Sequence, residues 1–139
     1  VWPGCVLRAD INIIAIGERT NIQDGTIIHV AHDRPTLIGN DVTVGHRAVL
    51  HACTIHDRCL IGMGSIILDG AEIPSDTMVG AGSLVSPGKT FPSGMLILGS
   101  PARIIRPLRE SEREYLLRSA QGYADLAREY RTSLSAPSL

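Results

Sequence analysis

The fold is decided by the stretch Ile55–Leu84, which in groups of six reads IHDRCL, IGMGSI, ILDGAE, IPSDTM and VGAGSL. Every group opens on an isoleucine or a valine. An amphipathic helix cannot give this pattern, because six is not a multiple of 3.6 residues and the glycines and the proline would break it. A short strand followed by a tight corner fits a period of six.

The same period runs through most of the chain, with a small residue usually four positions after each large aliphatic one, as at Thr54 and Cys59. Glycine often follows the aliphatic residue, as at Gly45 and Gly62, where a turn needs a residue without Cβ. Three such groups make one coil, so the sequence predicts an all-β solenoid, a parallel β-helix of hexapeptide repeats. The repeated positions are Ile16, Ile22, Ile28, Ile38, Val44, Leu50, Ile55, Ile61, Ile67, Ile73, Val79, Val85, Phe91 and Ile97.

The composition supports an interior of narrow, similar layers. The 139 residues are 44% hydrophobic and amount to one domain, but they include only one Trp, one Phe and three Tyr. The net charge of −1 with dispersed basic residues indicates no nucleic-acid or anionic-membrane partner. No apolar run approaches the ~20 residues of a membrane span. The three cysteines form no C-x-x-C motif, so we expect buried or turn thiols and a cytoplasmic location.

The periodicity is interrupted and then stops. About four extra residues lie within 30–37, where we expect a loop to leave a corner. After Pro101 the period ends, and Ser111–Glu114 (SERE) has the pattern of a capping box. We predict a β-helix domain over residues 1–108, an α-helix over 109–133 and a flexible tail over 134–139. The apolar stripe of this helix, which should pack on this solenoid or on a neighbour's, comprises Leu116, Ala120, Tyr123, Ala127 and Tyr130.

All five histidines lie between residues 29 and 56. His29 follows Ile28 and His51 follows Leu50, so the two histidines occupy the same repeat position one coil apart. Alternation along a strand turns both side chains outward, and neighbouring strands lie ~4.8 Å apart. Two rings at that spacing can bind one metal ion at N–metal distances of ~2.0–2.1 Å.

His46 lies on the preceding face, which directs its side chain away from His29 and His51. A threefold assembly resolves this, because one face of a subunit can lie against a different face of the next subunit. We therefore predict a homotrimer whose metal sites use His29 and His51 from one chain and His46 from its neighbour. His56 matches no partner and should be solvated, while His32, in the inserted loop, is a candidate proton relay.

Three stretches resemble the gamma-class carbonic anhydrase family: Leu7–Asp10 (LRAD), Asn21–His29 (NIQDGTIIH) and Val44–His51 (VGHRAVLH). Gly99–Ala102 and the terminal helix are similar to its shorter bacterial members, so the resemblance covers nearly the whole chain. It implies a homotrimer of left-handed β-helices with Zn²⁺, Fe²⁺ or Co²⁺ held by three histidines across each interface. Because the family's coils normally begin earlier than Val1, we expect N-terminal coils to be missing.

The resemblance assigns roles to individual positions. It implies an amide side chain that hydrogen-bonds metal-bound water or substrate, with a second amide beside it. It also implies a salt bridge across the interface between Arg8 and Asp24. The residues concerned are the metal ligands His29, His46 and His51, the amides Gln23 and Asn21, and the interface group Arg8, Asp10 and Asp24.

The implied reaction is the reversible hydration of CO2 to bicarbonate by a metal-bound hydroxide at the trimer interfaces. Turnover needs a proton relay, and this chain lacks the relay glutamates of the best-studied family pattern. Ile11 stands where one of them is expected, and the short 30–37 loop replaces the segment that carries the other. His32 and Tyr123 are candidate substitutes, and we expect a slow enzyme.

Two other functions stay open. Hexapeptide proteins include acyltransferases that bind coenzyme A between subunits, and a metal site of this kind can also hydrolyse CoA thioesters. An acyltransferase does not need three histidines at matched positions and would leave Gln23 and Arg8 without an obvious task. A non-catalytic scaffold, in which the metal only joins the trimer, is the other alternative.

Overall fold

The computed structural model describes residues 1–134, in which a parallel β-solenoid of three faces is followed by one helix. The histidine face contains β1 (Val6–Arg8), β4 (Ile27–His29), β7 (Val49–His51), β10 (Ile66–Ile67) and β13 (Leu84–Val85). The third face contains β2 (Ile14–Ile16), β5 (Thr36–Ile38), β8 (Thr54–Ile55) and β11 (Glu72–Ile73). The groove face contains β3 (Asn21–Ile22), β6 (Thr43–Val44), β9 (Leu60–Ile61), β12 (Met78–Val79), β14 (Met95–Gly99) and β15 (Ala102–Pro107).

Strands stack in parallel on each face, except that β14 and β15 form an antiparallel hairpin at the end of the solenoid. The chain therefore coils as the period of six predicts, and the predicted parallel β-helix is confirmed. The left-handed sense of the coil stays a prediction. The one helix within residues 1–134 does not combine the length and the apolar character needed to cross a bilayer.

The core is the predicted column of aliphatic side chains. Twelve of its fourteen members are at most 4% exposed, whereas Ile16, near the first coil, and Phe91, near the last, are partly buried. Each layer is one aliphatic residue wide, which leaves no room for stacked rings. The buried members are Ile22, Ile28, Ile38, Val44, Leu50, Ile55, Ile61, Ile67, Ile73, Val79, Val85 and Ile97.

The corners differ from the prediction in two ways. The repeat group that begins at Leu50 has five residues rather than six, because the next core position is Ile55. The small residue at this corner is therefore the buried Cys53, and Thr54 is a half-buried strand residue. Gly62 has an ordinary backbone conformation, but a Cβ there would lie 2.4 Å from the backbone nitrogen of Ala81. Glycine is thus needed at this position for the close approach of the next coil, not for the turn.

Helix α1 spans Glu110–Leu134. The capping box predicted at Ser111 is wrong, because the helix already begins at Glu110. The Glu112 carboxylate accepts the backbone N–H of Arg109 at 2.8 Å, so Arg109 occupies the N-cap position, and the same carboxylate accepts two bonds from the Arg106 guanidinium at 2.7 and 2.8 Å. The helix extends through Leu134, the last described residue and one residue beyond the predicted end at 133. The rest of the predicted tail, 135–139, lies outside the described residues.

Helix α1 packs on the groove face of its own solenoid, which is one of the two predicted locations. Leu116 and Ala120 are buried, and the Ser119 hydroxyl lies 3.1 Å from that of Thr43. The helix runs back toward the first coil, where Trp2 stacks edge-on against Tyr123 at 6.2 Å between ring centroids and contacts Tyr130 at 5.6 Å.

Candidate metal centre

The solenoid stacks His51 directly on His29. The parallel register of β1, β4 and β7 aligns Arg8 with His29 and His29 with His51, as their common repeat position predicts. The two rings lie 5.1 Å apart between centroids, and His29 Nδ1 faces His51 Nε2 at 3.1 Å. In a tetrahedral site with N–metal bonds of ~2.0–2.1 Å, two ligand nitrogens lie about 3.3 Å apart. The pair therefore fits a shared metal ion.

His46 does not join this pair within one chain. It follows β6 at the corner of the groove face, and no hydrogen bond or ring contact connects it to either of the other two rings in the described residues. Nor does any group of three or more His, Cys, Asp or Glu side chains within residues 1–134 converge well enough to hold a metal ion. A complete three-histidine site therefore requires a second chain.

Each of the three candidate ligands contacts one aspartate. Asp10 Oδ1 lies 2.9 Å from His29 Nε2, Asp24 Oδ2 lies 3.0 Å from His46 Nδ1, and Asp69 Oδ1 lies 2.6 Å from His51 Nδ1. Within residues 1–134, the rings of His32 and His56 make no such bond, and both residues are exposed. Metal-binding histidines almost always donate their second ring N–H to a carboxylate, a carbonyl or water. The aspartates thus distinguish the predicted ligands from the other two histidines.

Arg8 pairs within the chain with Asp10 rather than with Asp24. Asp10 therefore joins Arg8 to His29. The hydrogen bond from His29, assisted by Arg8, holds the pKa of Asp10 below its usual value, so this carboxylate is ionised at neutral pH. The predicted Arg8–Asp24 contact across an interface stays a prediction.

Gln23 and His46 line a groove of about 410 Å³ between the groove face and helix α1. Gln23 is buried, and its Nε2 donates to Asn21 Oδ1 at 3.1 Å; Asn21 Nδ2 in turn donates to the Thr43 hydroxyl at 3.0 Å, which contacts Ser119. Asn21 thus holds Gln23 rather than lining the groove itself. The polar chain also ties the helix to the strand that precedes His46.

The two candidate relay residues lie in different places. Tyr123 lines the same groove as Gln23 and His46, whereas His32 is exposed in the inserted loop, where Asn12 binds its backbone carbonyl. The buried thiols of Cys53 and Cys59 are unsuited to metal binding or nucleophilic attack at neutral pH, because burial raises the pKa of each to about 12.

The sequence did not predict a role for Asp69, because Leu68, not Asp69, occupies the repeat position aligned with His51 when Ile67 pairs with Leu50. The carboxylate reaches His51 diagonally from the corner of the next coil. An acidic residue within one position of the histidine column on an adjacent coil is the pattern that would have identified it.

Similarity to known proteins, in sequence and in structure, supports the solenoid fold. Residues 35–69 match the sequence family described as Bacterial transferase hexapeptide (six repeats). The crystal structure of a putative acetyltransferase from Bacillus cereus has a TM-score of 0.93 and 44% identity, covering 94% of this chain and 76% of that one. Fold and site together define a hexapeptide-repeat β-solenoid protein with paired histidines on one face.

Curated relatives narrow this class. Gamma carbonic anhydrase 1, mitochondrial, of Arabidopsis thaliana is 43% identical over 143 residues, which cover 99% of this chain and 52% of the relative. The carbonic anhydrase of Geobacillus kaustophilus is 46% identical over 131 residues, which cover 94% of this chain and 72% of the relative. The chain therefore belongs to the gamma carbonic anhydrase family. It spans about half the length of the Arabidopsis relatives that it matches.

Proposed function

We propose that this chain forms a homotrimer that hydrates CO2 reversibly to bicarbonate at a metal site in each subunit interface. The observation that carries the proposal is the set of three histidines, two of them stacked at 3.1 Å, with a separate aspartate on each ring. Membership of a family whose relatives are named carbonic anhydrases supports the reaction. A cytoplasmic location stays part of the proposal, because all three cysteines are free thiols.

His29 and His51 of one chain and His46 of the next would hold the metal, which we propose to be Zn²⁺, with Fe²⁺ or Co²⁺ as alternatives. Such a cation, when bound by three histidines, lowers the pKa of a water molecule from 15.7 toward ~7. Gln23 provides an amide that can orient CO2 or water, because its Nε2 is fixed by Asn21 and its side chain lines the groove together with His46.

An apolar stripe beside the histidines supports the trimer. The register of the histidine face aligns five outward-pointing aliphatic side chains, and Val6, Ile27 and Ile66 among them are exposed in the isolated chain. Burying such a stripe against a neighbour's groove face would bring that neighbour's His46 toward the pair. The stripe consists of Val6, Ile27, Val49, Ile66 and Leu84.

Proton transfer is the step for which this chain has the fewest suitable side chains. No glutamate lines the groove in the described residues, and besides His46 its titratable side chains are Tyr123, which is half-buried, and Tyr115, which is exposed. We therefore propose Tyr123 as the relay, in preference to the exposed His32 of the inserted loop. A phenol is a less effective general acid and base near neutral pH than a carboxylate or an imidazole, so the expected turnover is low.

Metal analysis and stopped-flow CO2 hydration test the proposal on the wild type, His46→Ala and the control His56→Ala. We expect the wild type and His56→Ala to bind metal and to hydrate CO2, and His46→Ala to lose both. Full metal occupancy in His46→Ala would contradict the shared site. A fully metallated wild type that does not hydrate CO2 would contradict the reaction and favour the scaffold.

Mixing two inactive variants tests whether the ligands come from different chains. A refolded 1:1 mixture of His46→Ala and His51→Ala contains interfaces in which all three ligands are native. Random assembly restores about a quarter of the wild-type sites, because each interface draws independently on two chains. A site built within one chain would regain nothing on mixing.

Similarity to the putative acetyltransferase of Bacillus cereus supports a second candidate, an acyltransferase acting on CoA thioesters. Hydrolysis of the same thioesters by the metal site is a related possibility. An acyltransferase would transfer acetyl groups without metal, and His46→Ala and chelator-treated wild type would then be equally active. We expect neither protein to act on acetyl-CoA.

A further inference from the structure

The Asp69–His51 hydrogen bond fixes which nitrogen of His51 is free. Asp69 Oδ1 lies 2.6 Å from His51 Nδ1, and an ionised carboxylate can only accept a hydrogen bond. The ring proton therefore lies on Nδ1, which leaves the lone pair of Nε2 available. Nε2 is also the atom that faces His29 Nδ1 at 3.1 Å. The free nitrogen thus points to the place where the two histidines meet.

The solenoid itself holds Asp69 in position. Its backbone carbonyl accepts the N–H of Gly88 at 2.8 Å, from the next coil, and the adjacent Gly70 donates to the carbonyl of Ala52 at 2.8 Å, on the preceding coil. Gly70 has a φ of +67°, which strains any other residue, and the Arg34 side chain of the inserted loop lies over it. The carboxylate is therefore presented to His51 from a corner that is tied to both neighbouring coils.

We propose that Asp69 is a positioning residue that holds the His51 ring in the orientation and tautomer required for metal binding through Nε2. The proposal rests on the metal site of the proposed function, but not on its reaction. Asp69 touches neither substrate nor metal in this role and acts through His51. Asp24 makes the equivalent contact with Nδ1 of His46, at 3.0 Å, so the same arrangement serves ligands on two different faces.

The tautomer of His51 tests the contact in metal-free protein. Long-range proton–nitrogen NMR spectra distinguish a ring protonated on Nδ1 from one protonated on Nε2. We expect the Nδ1–H form in the wild type and in Asp69→Asn, whose amide oxygen still accepts the bond. Asp69→Ala should shift His51 toward the Nε2–H form. An Nε2–H ring in the wild type would overturn the proposal.

Metal affinity tests the consequence, measured as zinc binding in competition with a chelator. Loss of such an outer partner typically lowers affinity by 10–100-fold, and we expect a loss of about this size for Asp69→Ala. Asp69→Asn should lose less, because it keeps the hydrogen bond but not the charge. The matched control is Glu72→Gln, which removes an exposed carboxylate on the third face three residues further on and should bind zinc as the wild type does.

Wild-type affinity in Asp69→Ala would overturn the proposal, as would an equal loss in Glu72→Gln. Failure of the proposed function gives a different pattern. If the wild type binds zinc but does not hydrate CO2, the reaction is wrong, while the tautomer and the affinity still report on Asp69. Circular dichroism and sedimentation of each variant check that fold and assembly are unchanged, and Asp69→Asn supplies a second variant should Asp69→Ala fail to fold.

Discussion

Individual glycines set how closely the coils approach. On the groove face, Gly45, Gly62 and Gly80 stack on consecutive coils, and a Cβ at any of them would lie 2.4–2.8 Å from atoms of the next coil. At Gly45 and Gly62 the nearest atom belongs to the backbone, which cannot move aside without breaking the strand ladder. These glycines also form the floor of the groove that contains Gln23 and His46.

Two glycines two residues apart should respond differently to alanine. We expect Gly62→Ala to lower the free energy of unfolding by ~3 kcal/mol through the clash with Ala81. Gly64→Ala should cost only ~1 kcal/mol, because its φ of +67° is strained for alanine but nothing lies within 4 Å of the added Cβ. Urea unfolding at one fixed protein concentration measures both. Equal losses would show that the coils can shift to accommodate a methyl group.

The carboxylate of Glu112 holds the start of helix α1 in place. Glu112 accepts the Arg109 N–H and two bonds from Arg106, which joins the first turn of the helix to β15. These bonds, first that from Arg106 and then that from Arg109, lower the pKa of Glu112 to about 2 from an ordinary value of 4.5. The carboxylate stabilises the fold only while it is ionised.

Acid should therefore remove the contribution of Glu112. It is fully present above the unfolded-state pKa, near pH 4.5, and is lost as the pH falls toward 2. Glu112→Gln should unfold at a lower temperature than the wild type at pH 7, and the difference should shrink between about pH 5 and pH 2. Thermal unfolding followed by circular dichroism at each pH measures this.

Glu114→Gln, in the same first turns but without such partners in the described residues, is the control and should leave the profile unchanged. Arg19 and Arg58 also lower the pKa values of Asp41 and Asp76, so every variant keeps some sensitivity to acid. A difference between wild type and Glu112→Gln that stays constant down to pH 2 would contradict the assigned role.

At the scale of the whole molecule, the faces of the solenoid carry different surfaces. The histidine face presents the stripe of Val6, Ile27, Val49, Ile66 and Leu84, while the groove face carries the helix and His46. Two unlike faces of one chain can pair head to tail, and such pairing closes into a ring when the rotation permits. A three-sided prism is suited to a ring of three.

Assembly should depend on the stripe and not on apolar exposure in general. Ile66 and Leu37 are each 38% exposed and point outward from short strands, but Ile66 lies on the histidine face and Leu37 on the third face. We expect Ile66→Asp to dissociate the proposed trimer into single chains, because a charge would be buried without a partner. Leu37→Asp should remain a trimer.

Sedimentation equilibrium gives the mass of each variant, and zinc binding should be lost with the trimer. A trimeric, metal-binding Ile66→Asp would place the interface elsewhere. A monomeric Leu37→Asp would show instead that any charge on the solenoid disrupts assembly.

The solenoid could be predicted because its cause is local and repeated. A large aliphatic residue at almost every sixth position fixes both strand and core, so the buried column agrees with the sequence from Ile22 to Val85. The pairing of His29 with His51 follows from the same period. The start of the helix was predicted less accurately, since the sequence SERE makes Ser111 a reasonable N-cap residue. The cap is at Arg109 instead, because Arg106 holds the Glu112 carboxylate where it accepts the Arg109 N–H.

The sequence by itself thus determined the coil, its core and which histidines share a column. A period of six fixes which side chains point into the core and which point outward. Only the tertiary structure decided what depends on distance between coils. It placed Asp69 beside His51, joined Gln23 to Asn21 and packed the helix on its own solenoid. Contacts between corners depend on where each chain segment turns, and the period of six does not specify that.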